Sequence, residues 1–483
     1  MRTMNLTLAA LLFAGAAFAQ TQQTQATQAT TSTTKTTTTT ITTTTKEIPP
    51  AAAPAKAFTL PAVTKFDLPN GLAVRLVQYG SVPKTTVRLA IQTGNVDEGP
   101  NETWLADLTG EMLQQGTTSR TAEQIARDMA SMGDDLNVNT GVNLVTFGAD
   151  VFSESAPQFV ALLADVVEHP LFPATDLARI KQDAVRKLAI QHAQPQPLAA
   201  EKFYGALFPN TPYGRYFPTQ AMLEGYTLDQ VKSFYDRNYG AARARLYVVG
   251  RFDPAAIETA IHANFESWKR GNAPVAPQVA AVGKHAVYVV DRPGAVQTTL
   301  YVGLPSIEAT NPDYTSYVVM DALLGGTFGS RITSNIREQK GYTYSPTSQI
   351  GNRLGAGSWV EVADVTTKDT GASIHEILGE IDRIRNTQAT PEELLAIQRN
   401  AAGIFVLRNS ARAAIANQLS FVDLHGLGED YLRNYVQRLY AVTPADVQRA
   451  AQQFIDPSKI TIVAVGDKKV ILDQLKTYGD VIE

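Results

Sequence analysis

Cysteine is missing from all 483 residues, and histidine occurs only six times. Without cysteine the fold has no disulfides, no thiolate nucleophile and no cysteine metal site, so its stability must come from packed cores. The histidines stand at 169, 192, 262, 285, 375 and 425, never closer than 23 residues apart. No helix can therefore present a histidine pair at i, i+4 to zinc. Charge of one sign is also scarce: the formal net charge is −4, which gives no reason to expect nucleic acid or an anionic membrane as a partner. No apolar run beyond the N-terminus is long enough to span a bilayer. Three common catalytic signatures are absent too: the nucleophile elbow G-x-S-x-G, a phosphate-cradling Gly-Lys-Ser/Thr loop and a dinucleotide fingerprint.

What is present begins with a leader. Residues 1–19, MRTMNLTLAALLFAGAAFA, combine a basic start, a short apolar core and an A-F-A ending, which reads as a signal peptide and a periplasmic or secreted location. Residues 20–57 are first Thr/Gln-rich and then Pro/Ala-rich. Such a composition buries too little apolar surface to offset chain entropy, so it reads as a disordered tether. The remaining length favours two domains.

The order of elements repeats. "FDLPNGLAVRLVQ" reads as a strand, a Pro-Asn-Gly turn and a strand, and "HAVYVVDRPGAVQTTLYVGLPS" as a second hairpin-like pair. Helices, strands and long helices follow each in the same sequence. Thr227–Gly250 aligns without a gap on Thr443–Gly466, at a constant offset of 216. The expected fold is α+β: two homologous domains, 58–270 and 285–483, joined by a linker at 271–284. Each is expected to be a mainly antiparallel sheet with helices on one face, the two forming a clam-like pair with a site in the crevice between lobes.

Two segments stand out chemically. In "WLADLTGEML", 104–113, Leu105, Leu108 and Met112 form an apolar helical stripe, while Asp107 and Glu111 lie four apart with Gly110 between them. Like charges at that spacing and a mid-helix glycine both weaken a helix. In "SRITSNIREQKGYTYS", 330–345, an amphipathic helix ends at Gly341 and a strand opens with Tyr-Thr-Tyr. Arg337 and Tyr344 on adjoining elements could donate hydrogen bonds to one peptide carbonyl, or could be a helix-end arginine beside a buried tyrosine. "TPYGRYFPTQ", 211–220, carries Arg215, and "GGTFG", 325–329, reads as a turn that brings a helix start close to neighbouring backbone.

With its N-terminal hairpin, a helix ending "MLQQGT", the duplication and "LGGTFGSRITSNIREQKGYTYS", the chain resembles the M16 (pitrilysin-like) peptidases from about 60 to 470. The size is that of the two-domain bacterial members. That family seats zinc on an inverted H-x-x-E-H helix motif, the Glu acting as general base, with a further Glu as distal ligand. Laid on this sequence, the resemblance puts Asp107 and Glu111 at the histidine positions, Gly110 at the base, and Lys187, 76 residues beyond Glu111, at the distal ligand. A cation there opposes metal binding, and an ion-pair network of Lys187 with one or both acids is the expected replacement. Carboxylates at i, i+4 holding a hard cation are the other option. By the same resemblance Arg337 and Tyr344 match the family's substrate-gripping pair.

These readings imply a chain with no catalytic residues and no metal of its own, inactive alone. Its expected partners are a zinc-bearing M16 subunit, which supplies the zinc, and a peptide or unfolded polypeptide substrate gripped by Arg337 and Tyr344. The alternative is a stand-alone homodimeric peptide-binding or scaffolding protein without hydrolytic activity.

Overall fold

The computed structural model describes residues 59–277 and 279–483; the leader read at 1–19 and the tether read at 20–57 lie outside the described residues. The first half contains β1 (Val63–Asp67), β2 (Ala73–Gln78), β3 (Lys84–Ile91), α1 (Leu105–Met112), α2 (Ala122–Met132), β4 (Asn137–Thr140) and β5 (Val145–Phe152). It continues with α3 (Ala156–Glu168), α4 (Ala174–His192), α5 (Pro195–Leu207), α6 (Gln220–Gly225), α7 (Leu228–Asn238), β6 (Ala244–Gly250) and α8 (Pro254–Phe265). The second half runs β7 (Ala286–Asp291), β8 (Gln297–Ser306), α9 (Tyr314–Leu324), a π-helical segment Thr333–Gln339, β9 (Thr347–Arg353) and β10 (Ala356–Thr366). Then come α10 (Thr370–Asn386), α11 (Pro391–Arg408), α12 (Arg412–His425), α13 (Asp430–Arg433), α14 (Tyr435–Ala441), α15 (Pro444–Phe454), β11 (Thr461–Gly466), α16 (Lys468–Leu475) and β12 (Val481–Ile482).

The Pro-Asn-Gly turn forms as its chemistry requires. Gly71 takes φ of 99°, Asn70 Oδ1 accepts the Leu72 N–H at 3.2 Å, and Asn70 Nδ2 donates to Phe265 O at 2.7 Å. Thr227 and Thr443 each close a capping box, with Gln230 and Asp446, so both copies of the aligned segment start their helix with the same device. Those helices lead into β6 and β11, which end at Gly250 and Gly466.

The two sheets share one plan. The first has the order β1-β2-β6-β3-β5-β4 and the second β12-β7-β11-β8-β10-β9. The inner order is the same in both, with β6 and β11 parallel to β2 and β7 and antiparallel to β3 and β8. At one edge they differ: β1 is antiparallel to β2, whereas β12 is parallel to β7. Both sheets are thus mixed within an α+β fold. The hairpin-like pairing read for 285–306 does not form, because β11 lies between β7 and β8.

Each sheet packs one face on its own helices. Val74, Leu89, Phe147 and Leu246 meet Phe159 and Leu163 of α3 in one core; Leu300, Val302 and Ile462 meet Ile374 and Ile377 of α10 in the other. The opposite faces are covered reciprocally. Phe203 and Leu207 of α5 pack with Val360, Val463 and Val465 of the second sheet. Ile415 and Leu419 of α12 pack with Val77, Tyr247 and Val249 of the first. Polar contacts reinforce this exchange, since Arg412 grips Asp150 through Nε at 3.1 Å and Nη2 at 2.8 Å. Among the described residues no helix is long and apolar enough to cross a membrane.

Candidate functional site

The first wall is built on α1 and α4. Leu105, Leu108 and Met112 are buried as the stripe predicts, which turns Asp107 toward a cleft and leaves Glu111 exposed. Lys187, seven-tenths of the way along α4, places Nζ 3.4 Å from Asp107 Oδ1 and 5.0 Å from the centre of the Trp104 ring. Asn95 Nδ2 donates to the other oxygen, Asp107 Oδ2, at 2.9 Å. The expected ion-pair network therefore exists, but with Asp107 only: Glu111 makes no ion pair among the described residues. The reason is reach across the helix pair, which α1 and α4 settle only once packed.

Gly110 has a packing role. A Cβ added there would lie 2.7 Å from Thr140 Oγ1, so the missing side chain lets edge strand β4 come down on α1. The helix penalty of this glycine is offset by that close approach. A carboxylate side chain at 110 would have to displace Thr140.

Zinc, which the family implies, needs three or four nitrogen, sulfur or oxygen ligands. Among the described residues no cluster of three His, Cys, Asp or Glu side chains is placed to hold a metal. At this wall the Lys187 ammonium pairs with Asp107 and Glu111 stands exposed. This donor set does not fit zinc.

One important residue escapes sequence reasoning. Glu98 is buried; its Oε1 accepts the Ala106 N–H at 2.9 Å, satisfying a free donor at the start of α1, and accepts from Asn95 Nδ2 at 3.1 Å. Trp104, beside it at the helix start, has φ of 66°, the left-handed region. Burial pushes the Glu98 carboxyl up to about 8, against the downward pull of its hydrogen bonds. In the native state it holds its proton up to that pH, while the unfolded chain loses it near 4.5. The unfolded state then binds fewer protons, so stability falls as pH rises between the two values. We expect urea unfolding to show the protein losing on the order of 3 kcal/mol relative to Glu98→Gln between pH 5 and pH 8. Parallel pH profiles for the two proteins would contradict this assignment.

The second wall centres on Arg337 and Tyr344. The helix read at 330–340 is present, but Thr333–Gln339 is π-helical, a form concentrated at functional positions. It ends where Gly341, with φ of 69°, donates its N–H to Arg337 O at 3.2 Å. Tyr-Thr-Tyr does not open a strand: β9 starts at Thr347, and only Thr343 makes an isolated bridge, to Val365. This irregular stretch leaves Tyr344 79% exposed instead of buried. The Arg337 guanidinium carbon lies 5.1 Å from the Tyr344 ring centre and 4.3 Å from that of Phe328, itself 73% exposed. Two aromatic rings thus flank the guanidinium, within cation–π distance, beside a cavity of about 270 Å³ also lined by Gly326, Thr333 and Pro346. Phe328 is the third member that spacing alone did not identify; its only sequence signal was an aromatic inside a glycine-rich turn.

Deeper contacts anchor this wall. Arg331 holds Glu393 of α11 bidentately, at 2.8 and 2.9 Å, and Asn335 Nδ2 donates to Glu376 at 2.9 Å and Glu380 at 3.0 Å on α10. Gly325 and Gly326 cover two buried acids. A Cβ at 326 would meet Asp321 Oδ2 at 2.5 Å, and one at 325 would collide with Glu361 Oε2. The neighbours that demand glycine here are side-chain carboxyls rather than backbone. Burial raises Asp321 to about 6 and Glu361 well above the carboxylate range.

Comparison with known proteins identifies the fold and the family. The family model described as Insulinase (Peptidase family M16) matches residues 74–217, and the one described as Peptidase M16 inactive domain matches residues 225–401. A Rickettsia bellii protein described as a zinc protease is 26% identical over 329 residues, 68% of this chain and 79% of that one. The crystal structure of a peptidase M16 inactive domain from Pseudomonas fluorescens aligns with a TM-score of 0.77 at 24% identity, over 84% of this chain and 98% of that one. A periplasmic protease from Escherichia coli aligns with a TM-score of 0.71 at 16% identity, over 89% of this chain and 51% of that one. Two models of one family in tandem, the shared fold and the paired sheets lead to one conclusion: this chain belongs to the M16 peptidase family.

Proposed function

We propose that this chain is the non-catalytic subunit of a two-chain M16 zinc peptidase. Its second lobe presents Arg337 and Tyr344 to the substrate of a zinc-bearing partner. The carrying observation is the contrast between the walls. Lys187 sits against Asp107 where a ligand set would be needed, while Arg337 stands pre-oriented between Tyr344 and Phe328. A guanidinium held this way donates to a peptide carbonyl and stabilises the negative charge that grows on its oxygen as water adds. Tyr344, with an exposed phenol beside it, supplies a second donor.

Relatives described as zinc proteases suggest the chemistry of the complex. In this chain Gly110 supplies no general base, so the zinc and the activated water belong to the partner. The leader at 1–19, together with a fold neighbour described as periplasmic, supports a periplasmic or secreted location.

The test is co-expression with an M16 chain that bears H-x-x-E-H, ideally one encoded beside this gene. The expected result is that a quenched-fluorescent unfolded peptide is cleaved by the purified complex and left intact by this chain alone. A complex no more active than the zinc-bearing chain by itself refutes the proposal. Peptide binding by a homodimer that recruits no such partner would establish the scaffolding alternative in its place.

A further inference from the structure

A second cavity, of about 210 Å³, opens between the halves beside the first wall. At about 30 Å³ per water it has room for roughly seven waters. Asp107 and Lys187 line it from the first half with Arg215, and Arg353 reaches it from the second. Three cations therefore meet one carboxylate.

Their partners do not balance that charge. Lys187 is 54% exposed at its side chain and spends one long contact on Asp107. Arg215 donates Nη2 to the backbone carbonyl of Glu98, and its buried Nε has no acceptor. Arg353 lies over the Tyr204 ring at 4.1 Å and donates Nη1 to Tyr213 O at 2.9 Å. Neither arginine forms an ion pair among the described residues. Burial lowers the proton affinity of both, against the opposing pull of Glu98 and Glu102 on Arg215 and of the surrounding phenols on Arg353.

Recognition geometry is in place as well. Arg353 stands at the end of β9, its plane held by the rings of Tyr204, Phe208 and Tyr213. A fixed guanidinium fork suits a carboxylate, and less rotamer freedom is lost on binding. Trp104 and Tyr216 give the same cavity aromatic walls, which suit an apolar side chain next to the charge.

The geometry points to a binding site for the C-terminal carboxylate of a peptide, held by Lys187, Arg215 and Arg353 with its last side chain against Trp104 and Tyr216. The site depends neither on a zinc-bearing partner nor on Arg337. In this chain the wall that lost the hydrolytic groups becomes an anchor for a chain end.

The experiment is fluorescence anisotropy on the full chain with three dye-labelled ten-residue peptides. One ends in phenylalanine with a free carboxylate, the second is its C-terminal amide, and the third is the amide with a glutamate placed before the phenylalanine. The free acid is expected to bind at least tenfold tighter than the plain amide. Lys187→Gln and Arg353→Gln are expected to abolish that difference. Lys187 lies on an exposed helix face, so its variant keeps the wild-type melting temperature even if Arg353→Gln loosens the junction of the halves. Arg337→Ala is expected to keep the acid-over-amide preference, which separates this site from the grip at the second wall. Equal binding of acid and amide, or no binding of either, overturns the proposal. Tight binding of the glutamate-bearing amide overturns the assignment to a chain terminus.

Discussion

In the proposed two-chain peptidase, replacing Arg337 with alanine should lower turnover about a hundredfold, with little change in assembly or in the zinc content of the partner. Removing one pre-oriented donor from a site that stabilises developing negative charge has an effect of roughly this size in other hydrolases. Three local facts support an effect of this size. The guanidinium lies against the rings of Phe328 and Tyr344, which restrict its orientation before substrate arrives. Its nearest anion, Glu338, is 3.4 Å away and largely exposed, leaving other N–H groups free to donate. The π-helical segment carrying it is tied to α10 by Asn335, and the turn just before it is tied to α11 by Arg331. Arg337→Lys should recover only part of the loss, because an ammonium has no planar faces to stack between two rings. Tyr344→Phe, which removes a single neutral donor, should cost about tenfold. Steady-state kinetics on complexes of matched composition would measure all three. A complex with Arg337→Ala that turns over normally would remove the pair from the mechanism.

The second large effect is on stability and lies far from either wall. Phe203→Ala should destabilise the protein by about 4 kcal/mol, within the range for fully buried phenylalanines. Phe203 is completely buried and its ring stands 5.8 Å from that of Tyr301 on β8. A Cβ at Gly303 would collide first with the Trp359 carbonyl on β10 and would also come 2.8 Å from Phe203 Cζ, so the ring packs directly on bare backbone. Because α5 belongs to the first half and β8 to the second, the cavity opens in the junction itself. Phe203→Leu, which refills much of the volume, should recover more than half of the loss. Urea unfolding followed by circular dichroism gives the comparison, and a loss below about 1 kcal/mol would mean the junction repacks freely.

Those two residues also mark the limits of what could be read in advance. The duplication was legible because its copies use local devices: a threonine cap, an apolar helical face and a strand of buried β-branched residues. The offset from Thr227 to Thr443 carries over to the ends of β6 and β11. Helices α5 and α12 were not legible. α5 begins Pro-Gln-Pro, which resembles a breaker, although proline at the first helical position is favoured. α12 reaches across to the sheet of the other half, a contact that no local pattern announces.

The site divides along the same line. Asp107, Gly110 and Glu111 share one short helix, and Lys187 reaches Asp107 because α1 and α4 pack side by side. Which acid Lys187 would choose depended on that packing. So did the role of Gly110, set by Thr140 on a strand 30 residues later. Glu98 reaches the site through a loop, and a buried carboxyl capping a helix from outside leaves no periodic signal.

The family's chemistry needs metal seated on α1, and here that seat is an ammonium paired with Asp107. Zinc stoichiometry, measured by mass spectrometry on the purified full chain after incubation with zinc and gel filtration, addresses this directly. The expected result is less than about one ion per ten chains, unchanged by Asp107→Asn or Glu111→Gln. One tightly held zinc per chain, lost in those variants, would contradict it.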